Sequence, residues 1–416
     1  MRVLGAHRRR RMNYQDPRRE VEKLRDHLAS NERPIAFLIG AGASCAVRDA
    51  EDKALIPAVA SLGDICAQAV TAIGDEYVAI YKAVTSQIEA TPDRATGAAN
   101  IEETLSAVRL AIAAMGDTDT IAGGTKAQLT AIEAAVRAAI ADAVLPEEAR
   151  IPAELPQHAL ARWIRQADRR FPVEIFTTNY DTLLERALED ERVPVFDGFT
   201  GGRTPFFLSA TPTVADEPGR GWTRLWKIHG SVTWRWHQPA GQRPRIVRGP
   251  EHAGGELILP SVHKYDESRR QPYASMLDRL GKVLSDREDT LVVTIGFGFG
   301  DEHLNAVIFD ALDARPRLSV IALQHSDPAA DHELVRRAGR HPNLTVYSPG
   351  QAIVGSRVGG WQLQEPVDEK TAALLDIPFD SDAKPEKDDI AATGRFRLGD
   401  FRWLARFLDT LTRSHA

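Results

Sequence analysis

Residues 34–44, Pro-Ile-Ala-Phe-Leu-Ile-Gly-Ala-Gly-Ala-Ser, decide how the chain is read. Pro34 to Ile39 is an apolar run of strand length, the pattern of a strand buried in a sheet. Gly40 and Gly42 then permit a tight bend and close backbone approach. The small residues Ala43, Ser44 and Cys45 let a helix begin directly against the sheet. The N–H groups and positive end of such a turn suit a diphosphate. A Gly-x-Gly turn without a third glycine also joins strand to helix where nothing binds, so both readings stand. No acidic residue follows an obvious second strand, which argues against an ordinary hydride-transfer dehydrogenase.

The same strand-then-turn pattern recurs along the chain. Val173–Phe176 leads into Thr177-Thr178-Asn179-Tyr180-Asp181, and Arg224–Ile228 leads into His229-Gly230-Ser231. Thr290–Ile295 leads into Gly296-Phe297-Gly298-Phe299-Gly300, and Leu318–Leu323 reads as the last strand of the sheet. Helical spacing follows several of these, including 181–188 and a helix opening at Asp301. Strands alternating with helices predict an α/β fold, a Rossmann-like doubly wound parallel sheet covered on both faces. Val21, Leu24 and Leu28 mark an amphipathic helix before the first strand. Residues 59–150 read as a helical insertion, with Asn100 as an N-cap and an alanine-rich helix over 126–144. The stretch 197–221 is rich in Gly, Pro and Thr and reads as a loop. Residues 232–236 and 245–247 read as a hairpin. The resulting division is a basic arm and helix over 1–30, a catalytic domain over 31–349 and a C-terminal extension over 350–416. That extension reads as polar and irregular until a terminal helix near Gly399–Leu408, which is expected to dock on its own domain.

Bulk properties narrow the function classes. At 416 residues the chain can bury a large core. A net charge of −6 gives no support for direct nucleic-acid binding. Cys45 and Cys66, the two cysteines, are too few for a disulfide framework or a four-ligand zinc site and fit a cytoplasmic setting. No apolar run approaches the ~20 residues that span a bilayer. Arg8 to Arg11 precede no apolar stretch, so the N-terminus reads as a basic arm, with Met12 as an alternative start.

Three polar positions carry the chemistry. Asn179 and Asp181 sit where a strand ends and a helix begins, where ligands gather in open α/β sheets. Asp181 equally suits a helix cap. Asn179 fits a cap less well, since its amide can donate to and accept from a water or a ribose. His229 ends a strand beside a glycine and suits proton transfer near neutral pH, against the alternative of a hydrogen-bonded core histidine. Trp222, Trp226, Trp234 and Trp236 could wall a pocket or form one face of a hairpin, and the hairpin reading is preferred. No Cys, His and Asp cluster at metal-ligand spacing, so no metal is expected.

Taken in order, GAGAS, TTNYD, HGS and IGFGFGDEHLN resemble the sirtuin-related family, and more closely a bacterial antiphage-defence branch that hydrolyses NAD. The resemblance implies that Gly40, Ala41, Gly42 and Ser44 hold the diphosphate side of NAD. It implies that Asn179 and Asp181 face the nicotinamide ribose and that His229 is the catalytic histidine. Gly296, Phe297 and Gly298 would lie along the adenosine half. The zinc ribbon of protein-deacylating sirtuins has no counterpart, because no cysteine follows Cys66. Their Pro-Asp-Phe-Arg stretch is replaced by Cys45-Ala46-Val47-Arg48-Asp49. The expectation is therefore an NAD glycohydrolase rather than a deacylase, with a non-catalytic NAD or ADP-ribose sensor as the other alternative. The resemblance also implies a homo-oligomer and a HerA-type ATPase partner.

Overall fold

The computed structural model describes residues 13–91, 99, 101–208, 218–241, 244–252, 256–257, 272–286, 289–365, 367–381 and 393–413. The arginine run, Met12 and Asn100 lie outside the described residues. Ten strands, numbered in chain order, form the main sheet: β1 (Tyr14–Gln15), β2 (Ile35–Ile39), β3 (Glu174–Thr177), β4 (Val195–Phe196), β5 (Thr223–Lys227), β6 (Leu291–Ile295), β7 (Ser319–Leu323), β8 (Leu344–Tyr347), β9 (Gln351–Val354) and β10 (Arg357–Trp361). Their order across the sheet is β1-β10-β9-β8-β7-β6-β2-β3-β5-β4. The run from β4 to β8 is parallel throughout. β9 and β10 turn back antiparallel, and β1 closes the edge parallel to β10.

The helices are α1 (Pro17–Ala29), α2 (Ala41–Cys45), α3 (Leu62–Ile73), α4 (Asp75–Glu89), α5 (Ile101–Ala114), α6 (Lys126–Ala143), α7 (Pro156–Gln166), α8 (Leu183–Asp190), α9 (Tyr273–Asp286), α10 (Glu302–Ala314), α11 (Glu333–Ala338), α12 (Glu369–Leu375) and α13 (Phe401–Arg413). β2 shows why they lie on both faces. Every one of its residues is buried, and because side chains alternate along a strand, Ile35, Phe37 and Ile39 enter one core while Ala36 and Leu38 enter the other. The first core is filled by α1, α7, α8 and α13, with Leu24, Trp163, Leu188 and Leu408 among them. The second is filled by α9 and α10, with Met276, Leu280, Ile308 and Phe309. The sheet is doubly wound. Helices α3–α6 of the insertion share a separate core around Cys66, Val84, Leu105 and Ile132.

The C-terminal third departs from the sequence reading in one respect. Leu318–Leu323 is not the last strand, and the segment after Pro349 is not irregular, because β8, β9 and β10 continue the sheet. The β9–β10 turn is Gly355-Ser356, both with positive φ (53° and 63°), as a two-residue hairpin turn requires. The terminal helix α13 docks on its own chain, packing against α7. There Arg162 donates to Asp409 at 3.0 Å. The expected hairpin forms between Trp234–His237 and Arg245–Arg248, and the expected loop at 197–221 contains two short strands, Phe199–Thr200 and Phe206–Phe207.

Candidate functional site

Strand order reverses between β2 and β6. From β2 the chain steps outward through β3 and β5; from β6 it steps the other way through β7 and β8. The crevice above such a point, at the carboxyl ends of the strands, is where an open α/β sheet binds ligands. Here the two strands that meet end in glycine turns, and the turns interlock. Gly40 N–H donates to Ile295 O at 2.9 Å and Gly42 N–H donates to Gly296 O at 3.0 Å. A Cβ at Gly40 would overlap Gly296 O, and one at Gly42 would stand 2.8 Å from Gly296 Cα. Gly296 has φ +65°, the left-handed region. The glycines thus serve close backbone packing first. Two of the turn's N–H groups are spent on the carbonyls of Ile295 and Gly296 rather than presented to a ligand.

Behind this floor lies a buried polar chain. Asn179 Nδ2 donates to Ser44 Oγ at 2.7 Å, and Ser44 Oγ donates to Asp181 Oδ2 at 2.7 Å. Asp181 Oδ1 accepts from Leu183 N–H at 3.1 Å at the start of α8. Asn179 N–H donates to Thr177 Oγ1 at 3.0 Å, whose hydroxyl donates to Ile39 O at 2.9 Å. Lys227, at the end of β5, donates to Asp181 O and pairs with Glu185 at 2.9 Å. Burial holds the Glu185 carboxyl above its usual range, with the Lys227 charge opposing. Asn179 is only 7% exposed, and its Oδ1 has no hydrogen-bond partner. A buried acceptor left in that state costs about 1–3 kcal/mol.

His229 follows β5, beside Gly230 with φ +96°. Its Nε2 lies 3.0 Å from Asp301 Oδ2. Asp301 is the N-cap of α10, where Oδ1 accepts from His303 N–H at 3.0 Å and Leu304 N–H at 3.2 Å. Asn305 Nδ2 donates to Phe299 O at 2.8 Å, tying the loop back to its helix.

One cavity of about 790 Å³ runs over these strand ends, within the range of small-molecule sites. Gly40, Ala41 and Gly42 line it, as do Gly296, Phe297, Gly298 and His229. Ser44, Asn179 and Asp181 stand behind the wall, which Thr178 and Tyr180 form in their place. None of Trp222, Trp226, Trp234 and Trp236 lines it. Asp301 also lines the cavity, although the sequence marked it only as a helix start. Gly399, Asp400 and Arg402, from the C-terminal extension, line it as well. A Cβ at Gly399 would overlap Gln324 O, so its turn seats directly on the end of β7. The strand order sets His229, after β5, and His325, after β7, on opposite sides of the glycine floor. Among the described residues, no three His, Cys, Asp or Glu side chains gather as metal ligands, and no helix is long and apolar enough to cross a membrane.

Residues 173–347 match the family model of the SIR2-like domain. The match runs from the strand before Asn179 through His229 and the second glycine turn to the end of β8. No curated protein matches the chain. The match supports a sirtuin-like domain and, with it, the binding or use of NAD.

Proposed function

We propose, from a SIR2-like domain over residues 173–347, that this chain is an NAD glycohydrolase releasing nicotinamide and ADP-ribose. The observation that carries the reading is that His229 lines the same cavity as the interlocked glycine floor. A dinucleotide laid along the strand ends would put its reacting ribose at the His229 end, its diphosphate over Gly40–Gly42, and its adenosine half toward Gly296–Gly298 and His325. The N-glycosidic bond breaks, nicotinamide leaves with the bonding pair, and water adds to the ribose carbon. His229 takes the proton that the water gives up. Asn179 stands behind Thr178 and Tyr180 with its Nδ2 held by Ser44, so its Oδ1 would accept from a water or ribose hydroxyl that reaches through that wall. Charge developing on the ribose is met by a pocket whose dipoles are already ordered.

The absence of any cysteine after Cys66 favours hydrolysis over deacylation. By resemblance, we place the activity in a regulated antiphage effector that depletes NAD, forms a homo-oligomer and works with a HerA-type ATPase. The purified protein should convert NAD to nicotinamide and ADP-ribose, followed by mass spectrometry with and without its neighbouring-gene product. His229→Ala and Asn179→Ala should each cut turnover by at least about 100-fold while melting within a few degrees of the parent. An O-acyl product formed only with an acyl-lysine peptide would instead identify a deacylase, and tight NAD binding with no turnover in either condition would identify a sensor.

A further inference from the structure

We infer that Asp301 is a positioning residue that holds His229 as the Nε2–H tautomer, so that Nδ1 is the atom that accepts the proton. The argument starts from what Asp301 is obliged to do. As the cap of α10, it gives Oδ1 to the N–H groups of His303 and Leu304. Two N–H donors and the positive end of a 13-residue helix favour the ionised carboxylate. An ionised carboxylate only accepts hydrogen bonds, so the hydrogen shared at 3.0 Å with His229 belongs to Nε2. Neutral imidazole carries one N–H, and Nδ1 therefore keeps its lone pair.

A cap alone needs one oxygen. The aim of the second oxygen at His229 is the surplus to be explained. The loop that delivers it is shaped for that delivery, because β5 and β6 are separated by β3 and β2, roughly 14 Å at ordinary strand spacing. Residues 296–300 run back across that gap, with Phe299 at φ +54° and its carbonyl held by Asn305. Both members of the pair line the cavity. Side-chain exposures of 11% for His229 and 8% for Asp301 keep water from competing for the bond. A base must present its lone pair at one atom in one direction, and a carboxylate behind the ring fixes both.

The kinetic part of this inference rests on the hydrolase reading; the tautomer does not. Asp301→Asn preserves the cap, since Asn caps helices as well as Asp, but offers His229 an amide in place of a carboxylate. In the wild-type protein, nitrogen-15 spectra of histidine-labelled material, with His229 assigned by its loss in His229→Ala, should show a protonated Nε2 and an unprotonated Nδ1. Asp301→Asn should erase that preference. It should also lower kcat by about 100-fold or more, with KM for NAD and the melting temperature nearly unchanged. A wild-type His229 protonated at Nδ1 overturns the inference, as does an Asp301→Asn enzyme that keeps both kcat and the tautomer. If the wild-type protein leaves NAD intact, the hydrolase reading fails, and the spectra still decide the role of Asp301.

Discussion

At the scale of single residues, the most constrained position is Gly296. A side chain there would have to adopt φ +65° and overlap Ala43 N. Left-handed backbone costs about 1–2 kcal/mol and overpacking typically about 1–3 kcal/mol. Gly296→Ala should therefore lose at least about 2 kcal/mol in a urea titration, whereas Gly298→Ala, with open space around it, should lose far less. Equal losses would refute the interlocking of the two turns. A second residue reports on pH. Burial, with the Arg33 charge adding to it, lowers the His27 pKa below 6.5, and Nδ1 lies 2.9 Å from the Arg33 guanidinium. The unfolded chain then binds the proton more readily, so stability is full above about pH 6.5 and falls as pH drops toward the folded pKa. Relative to His27→Gln, the parent should lose melting temperature on acidification; a constant difference would discount the pair. Much of the site was legible at this scale because strand ends show in sequence as apolar runs that stop at Gly, Asn or His. Asp301 was not, since nothing in a helix-capping aspartate announces a histidine 72 residues earlier. Ser44 was read as a ligand contact, and its place between Asn179 and Asp181 is visible only once β2 and β3 are paired.

Among the elements, α13 is the one whose removal should be felt furthest away. Phe401, Leu404, Phe407, Leu408 and Leu411 all enter the sheet core, a three-and-four spacing that the sequence displayed plainly. Phe407→Ala should cost about 3–5 kcal/mol, measured by denaturant unfolding; a cost below 1 kcal/mol would mean the helix is not seated as described. Gly399→Ala is the finer test. It should push the preceding turn off Gln324 and weaken NAD binding with a smaller change in stability, seen by calorimetry. Unchanged affinity would separate the C-terminal extension from the cavity. The strands just before this helix were the illegible part. Leu344–Tyr347 and Gln351–Val354 have four residues each, and Arg357–Trp361 includes two glycines. Such segments are strands because the edge at β7 offers them partners, not because their own composition demands it.

For the whole molecule, the two cysteines make natural reporters of its two parts. Cys66 is wholly buried in the insertion core, and burial pushes its thiol up to about 12. Cys45 is partly exposed and lines the cavity, and burial, with the Asp181 charge adding to it, raises its thiol as well. Alkylation near neutral pH should be slow at both, because the thiolate is the reactive form. NAD should slow it further at Cys45 and leave Cys66 unchanged; equal protection would mean that the ligand tightens the whole fold rather than filling the crevice. The interlocked glycine turns also set an order in time. Gly40 and Gly296 are brought together across more than half of the sequence, and contacts of such long separation form late. A nascent chain that has not yet yielded Leu291–Ile295 to its central strand has no second half to its floor. During synthesis, the cell would meet a polypeptide that already carries Asn179 and His229 but has no crevice in which they could be used.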